Sequence, residues 1–230
     1  MPTVKAILFD RDETLSTTDH SVYQQAAAWM EAQWGTPAQH VLKTLVQHWQ
    51  QKGEEWWHLR THDDETTFWN EYANELALKL GVSSEQARQL AVHYPYEVYL
   101  KPVPNARSVL LALREKGLRI GVLSNTLPSI DRTLEAIGVN DLVDVALATC
   151  TLGVHKPEAQ AFTLAARALN LPPSEVLFVD DRPENVNAAR AVGMHAYLID
   201  LKGQHRQALH SLEELLVLPE RLPEISGRER

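Results

Sequence analysis

A single cysteine among 230 residues leaves Cys150 without an internal disulfide partner, which fits a reducing compartment and the part of a small buried hydrophobe. No apolar run approaches the length needed to cross a bilayer, so a membrane role is not expected. The N-terminus enters an apolar strand within a few residues and shows neither a charged-then-apolar leader nor a small-residue cleavage site. Export is therefore not indicated, and the expected location is the cytoplasm. Positive charge is also in short supply: 22 Lys and Arg stand against 30 Asp and Glu, a net charge of −8 that offers nucleic acid no broad footprint. Internal repeats and low-complexity segments are absent. What remains is an ordinary globular composition, 44% hydrophobic and 23% charged, in a chain long enough for a main domain carrying a smaller one. The expected partner is a small molecule, and the expected assembly a monomer or homodimer.

Residues 4–9, "VKAILF", read as a short buried strand, and "RIGVLS", "LVDVALA", "EVLFVD" and "HAYLID" resemble it. Helix-period segments lie between these runs: Asn105 to Lys116, Ser129 to Ile137, Pro157 to Leu169 and Pro183 to Val192. Glycine after the last periodic residue and proline in the first turn mark their ends. From about residue 100 the alternation of helix and strand implies an α/β fold, a Rossmann-like doubly wound parallel sheet with right-handed crossovers. Residues 16 to about 98 break that rhythm with several helical patterns and no convincing strand, so they read as a small helical bundle inserted after the first strand. Ser83 and Gln86 form a capping-box pattern, and the acidic run His62 to Glu65 suits the opening of the helix through Phe68. All six tryptophans fall in the insertion. Trp29, Trp49 and Trp69 serve its core on this reading, while one of the adjacent Trp56 and Trp57 lines a pocket. The expected division is a core of residues 1–15 and 100–217, a helical segment of 16–99, and a fraying charged tail of 218–230.

Ligands of an open α/β sheet bind beyond the carboxyl ends of its strands, so the residues that follow each apolar run matter most. These are Asp10, Asp12 and Thr14 after the first run, Ser124 and Asn125 after "RIGVL", Lys156 before a helix, and Asp180 and Asp181 after "EVLFV". Carboxylates gathered in one crevice repel one another unless a divalent cation neutralises them, and an all-oxygen set favours Mg²⁺. Lys156, Ser124 and Thr14 are donors suited to phosphate oxygens, which points to a phosphate ester as substrate.

Four motifs, "DRDET", the Ser124 of "VLSNT", the Lys156 of "HKPEAQAF" and the acidic pair of "VDDRPENV", resemble in order those of the haloacid dehalogenase superfamily. The likeness covers the first strand and essentially all of residues 100–200. In that superfamily most members are Mg²⁺-dependent phosphatases, and a helical insertion at this position is a cap over the active site. Within it, "SNTLPS" together with the Lys156 and acidic-pair segments is most similar to sugar-phosphate phosphatases and the phosphatase domain of soluble epoxide hydrolase. The resemblance implies a small phosphorylated metabolite as substrate and an aspartyl-phosphate intermediate. Asp10 is then the nucleophile and Asp12 the acid and base, starting protonated through its negative neighbours. Asp10, the Asp12 backbone carbonyl and Asp181 hold the metal, with Asp180 behind them and Asn185 orienting the cluster. Ser124, Asn125 and Lys156 contact phosphate, and Thr14 either bonds phosphate or braces the loop. Glu13 only helps the turn, His155 is a bystander, and Arg11 points away from Asp10 to pack or support. Trp56, Trp57, His58 and Arg60 are the candidates for selecting the leaving group. A dehalogenase would lack the second aspartate, Asp12; a phosphomutase of the β-phosphoglucomutase kind and a non-catalytic binding protein are the alternatives.

Overall fold

The computed structural model describes residues 4–52 and 55–218; most of the expected tail, 219–230, lies outside them. In chain order the elements are β1 (Ala6–Phe9), β2 (Ser16–Thr18), α1 (His20–Trp34), α2 (Ala38–Lys52), α3 (His62–Leu80) and α4 (Ser84–His93). There follow β3 (Leu100–Pro102), α5 (Ala106–Glu115), β4 (Arg119–Ser124), α6 (Ile130–Ala136), β5 (Val145–Ala148) and the single turn α7 (Thr149–Leu152). The chain continues through α8 (Ala159–Ala168), β6 (Val176–Asp180), α9 (Pro183–Ala191) and β7 (His195–Leu198).

All five expected strands join one parallel sheet in the order β5-β4-β1-β6-β7. Because side chains alternate along a strand, Ile7 and Phe9 of β1 face a cluster with Val109, Leu110 and Leu113 of α5 and Leu134 of α6. Ala6 and Leu8 face the other way, against Phe162 of α8 and Val186 of α9. Helices on both faces explain why every residue of β1 and β6 is buried and why those strands read as continuous apolar runs. Phe9 pairs in register with Val122 and Val179, so the ends of β1, β4 and β6 open at one edge of the sheet.

The insertion carries four α-helices around its own core of Ala26, Met30, Val41, Leu45, Tyr72 and Leu76. Trp29, Trp49 and Trp69 pack against that core, as expected. Helix α1 is capped by Asp19 and closes on Gly35 in the left-handed conformation, and α4 opens with the Ser83–Gln86 capping box. The acidic run does open α3, where Asp64 and Thr61 cap each other reciprocally. The sequence missed one feature: β2 and β3 pair antiparallel, Ser16 with Pro102 and Thr18 with Leu100, joining the two ends of the insertion. Three-residue strands carry too few positions for a period to show. Among the described residues no helix is long and apolar enough to cross a membrane.

Candidate active site

Beyond β1 the strand geometry persists through Asp10, whose amide donates to the Val179 carbonyl at 2.8 Å. The chain then turns sharply. Glu13 takes a left-handed conformation, φ 53°, and the amides of Leu15 and Ser16 both donate to the Arg11 carbonyl at 2.8 Å. This turn leaves Asp10 and Asp12 on the wall of a cavity of about 370 Å³ and buries Arg11 and Thr14. Ser124 and Asn125 at the end of β4, Lys156 ahead of α8, Asp181 after β6 and Asn185 in the first turn of α9 line the same cavity.

Lys156 is buried at its centre, its ammonium donating to Asp10 at 2.6 Å and to Asp180 at 2.7 Å. Carboxylate oxygens of Asp10, Asp180 and Asp181 all lie within 4.8 Å of one another. Asp180 is also held by the Arg182 amide at 2.8 Å and by the Asn185 side-chain amide at 3.0 Å to each oxygen, and it is not on the cavity wall. Burial pushes the Asp10 carboxyl well above the usual carboxylate range; Lys156 opposes this, and the charges of Asp180 and Asp12 add to it. Burial and then Asp180 push Asp181 up to about 6. Ionised together, these three carboxylates would exceed the one ammonium beside them by two negative charges, which is why Asp10 and Asp181 hold their protons more tightly than ordinary carboxyls. An all-oxygen set at this spacing fits a hard divalent ion such as Mg²⁺, which would balance that excess.

Asp12 has a different neighbour from the one the sequence suggests. The Arg11 guanidinium donates to both Asp12 oxygens, at 3.0 and 2.7 Å, and also to the Tyr96 hydroxyl at 2.9 Å and Thr133 at 3.0 Å. A fully buried cation needs a counter-charge, and Asp12 supplies it, so a guanidinium and not an anion is the nearest charge to this carboxylate.

Two residues expected near the phosphate, Thr14 and Asn125, have particular surroundings. Thr14 is fully buried, its hydroxyl without a partner, and it is absent from the cavity wall because the turn at Glu13 carries it inward. Asn125 reaches the cavity, but its carbonyl accepts from the Lys156 amide and Thr149, both at 2.9 Å, and its amide donates to the Lys156 carbonyl at 2.9 Å. It clamps the Lys156 loop. The buried Ser124 hydroxyl, on the cavity wall, has no protein partner.

The haloacid dehalogenase-like hydrolase family matches residues 4–193. The chain belongs to this family. It is similar to the phosphatase MT3486 of Mycobacterium tuberculosis (strain CDC 1551 / Oshkosh), 33% identical over 211 residues, which are 90% of this chain and 92% of that one. It is also similar to haloacetate dehalogenase H-2 of Moraxella sp. (strain B), 29% identical over 127 residues, 55% of each chain. The crystal structure of a HAD phosphatase from Thermococcus onnurineus shares the fold, with a TM-score of 0.64 at 24% identity over 92% of this chain and 96% of that one.

In this haloacid dehalogenase-like hydrolase the insertion completes the cavity. Both Trp56 and Trp57 line it, where one was expected, because they sit on a 3-10 turn, edge to face at 6.0 Å. His58 and Arg60 do not line it. Arg60 instead donates to the carbonyls of Trp57 at 3.0 Å and Cys150 at 2.7 Å, fastening the tryptophan turn to α7 of the core. His155 stacks on Trp57 with ring centres 4.8 Å apart. Burial pushes the Cys150 thiol up to about 11, in keeping with an inert side chain.

The hydrolase also ties insertion to core through residues that the sequence does not reveal. Glu65 is buried and accepts from the amide and hydroxyl of Ser129 at 2.8 and 2.6 Å, and from the Trp69 indole at 3.1 Å. The chain separation between Glu65 and Ser129 removes any local signal. Tyr96 and Tyr99, in the aromatic run "YPYEVY" where the chain returns to the core, line the cavity, and that run was the available signal for them.

Proposed function

We propose that this hydrolase is a Mg²⁺-dependent phosphatase that cleaves a small phosphate monoester through an aspartyl-phosphate on Asp10. The observation that carries the reading is the gathering of Asp10, Asp180 and Asp181 around the buried ammonium of Lys156, more carboxylate than that ammonium can balance when all three are ionised. Asp10, the Asp12 backbone carbonyl and Asp181 would hold Mg²⁺, with Asp180 oriented behind them by Asn185. When bound, the ion offsets charge on the phosphoryl group and the acids.

The Asp10 carboxylate attacks phosphorus while the ester P–O bond breaks, and Asp12, ionised beside Arg11 at rest, takes up a proton from water when the negative phosphate enters beside it and gives that proton to the leaving oxygen. Water then attacks the acyl phosphate, gives its proton to Asp12, and releases inorganic phosphate and the free Asp10 carboxylate. Lys156 and the unpartnered Ser124 hydroxyl hold phosphate oxygens, and Asn125 fixes the loop that presents Lys156. Residues 16–99 act as a cap that closes over the core of residues 1–15 and 100–217 and excludes water. The contacts of Glu65 with Ser129 and of Arg60 with the Cys150 carbonyl support that role. A relative named as a phosphatase along most of its length supports phosphate chemistry, and so does Asp12, for which a haloacid substrate has no use.

The test is release of inorganic phosphate from a panel of phosphorylated metabolites, with Mg²⁺ and with a chelator in parallel. Mg²⁺-dependent release that disappears in Asp10→Asn is expected. Normal turnover by that nearly isosteric variant would sink the mechanism.

A further inference from the structure

The wall that the insertion contributes to the cavity has a distinctive composition. Tyr23, Trp49, Trp56, Trp57, Tyr96 and Tyr99 line it, and among the described residues no lysine, arginine, histidine, carboxylate or carboxamide of residues 20–99 does. The cations on the wall, Lys156 and Arg182, both belong to the core side, where the phosphoryl group would sit. A leaving group that carries a second phosphate or a carboxylate would therefore meet no opposite charge on the cap side, and burying such a charge unpaired is costly. A sugar would need side-chain donors and acceptors for several hydroxyls, and this wall offers phenol and threonine hydroxyls, that of Tyr96 already accepting from Arg11, and the indole N–H groups, of which that of Trp57 is buried without a partner and can serve one ring heteroatom or hydroxyl. Flat aromatic faces are what it has in quantity. They are also fixed in place: Trp57 is stacked on His155, Trp49 lies parallel to Trp69 at 6.0 Å, and Arg60 fastens the turn bearing Trp56 and Trp57. Side chains ordered before binding lose little entropy when a ring stacks on them.

We infer that the substrate is a phosphate monoester whose alcohol carries an uncharged aromatic or heteroaromatic ring, which stacks on the tryptophan-rich cap wall while Lys156 and Ser124 hold the phosphate. This deepens the phosphatase reading and rests on it.

The test compares Mg²⁺-dependent phosphate release from benzyl phosphate, cyclohexylmethyl phosphate, glucose 6-phosphate and 3-phosphoglycerate. Benzyl and cyclohexylmethyl esters share an alkyl leaving oxygen and similar bulk, so their difference isolates the flat ring. Benzyl phosphate should be turned over with a kcat/KM about tenfold above its cyclohexyl counterpart, the difference lying in KM. Trp57→Leu should raise the KM for benzyl phosphate severalfold, while Trp57→Phe, which keeps a ring, should hold it near the wild-type value. Preference for glucose 6-phosphate or 3-phosphoglycerate, or equal KM for the benzyl and cyclohexylmethyl esters, overturns the inference and leaves the phosphatase standing. No release from any ester, benzyl phosphate included, overturns both.

Discussion

Arg11 is the residue whose surroundings depart furthest from its place in the sequence. Inside "DRDET" it looks like a spacer between two acids, yet it is fully buried and holds Asp12, Tyr96 and Thr133 at once. Arg11→Met would leave a half-exposed carboxylate without its counter-charge and two hydroxyls without a donor. The expected loss of stability is about 2–3 kcal/mol, read from the urea midpoint. Adding Asp12→Asn should recover part of it, because the uncompensated charge is then gone. A double variant less stable than Arg11→Met alone would show that the pair is not what Arg11 provides. His48, in α2, makes a second prediction. Its Nδ1 accepts from the Lys79 ammonium at 2.9 Å and its Nε2–H donates to the Tyr72 carbonyl at 3.1 Å, an arrangement that only the neutral ring satisfies. Burial accordingly pushes its pKa below the usual 6.5. In the unfolded chain the ring takes up a proton near that ordinary value, so the unfolded state binds more protons below it. The contribution is fully present above about pH 6.5 and is lost as the pH falls toward the lowered folded-state value. Urea midpoints between pH 7.5 and 5.5 should drop more steeply for the wild type than for His48→Gln.

Between elements, the tie from α3 to the start of α6 is the contact most readily tested. Ser129→Ala removes the hydroxyl that donates to Glu65 but leaves the amide contact in place. It should cost about 1.5 kcal/mol, the range for a hydrogen bond to a charged acceptor. Faster hydrogen exchange at the start of α3 should accompany the loss, and unchanged exchange there would mean that the tie does not hold the insertion down. This element scale is also where the sequence was most legible. Apolar runs announced the five sheet strands, the Ser83–Gln86 box announced α4, and polar residues after the runs announced the cavity. The missing parts are non-local. Arg11 finds Thr133 and Tyr96 at separations of 122 and 85 residues, and Glu65 finds Ser129 at 64, so no window along the chain contains both partners. The choice between the two expectations for Thr14 was hidden for a local reason, the left-handed turn at Glu13, which buries it off the cavity wall and which a residue other than glycine adopts only sparingly.

At the scale of the whole molecule, the crowding of carboxyl groups in the cavity predicts a response to metal. Mg²⁺ at a hundredfold excess over its Kd should stabilise the fold by about 2.7 kcal/mol, a rise in Tm of roughly 5–10 °C for a chain of this size. Asp181→Asn should remove most of that rise, measured by thermal unfolding with Mg²⁺ and with a chelator. A variant that keeps the full shift would place the ion elsewhere.

The strand order also governs how the chain is made. Strand β1, which bears Asp10 at its tip, lies between β4, beginning at Arg119, and β6, beginning at Val176. A nascent chain that has left the ribosome only as far as β5 therefore holds β1 with one edge bare. At about 5–20 residues per second, translation from β1 to β6 takes roughly 10–30 s. Through that interval an apolar strand with an open edge is a template for pairing with other chains. The segment that ends at the finished cavity is thus the sheet strand that waits longest for its second neighbour during synthesis.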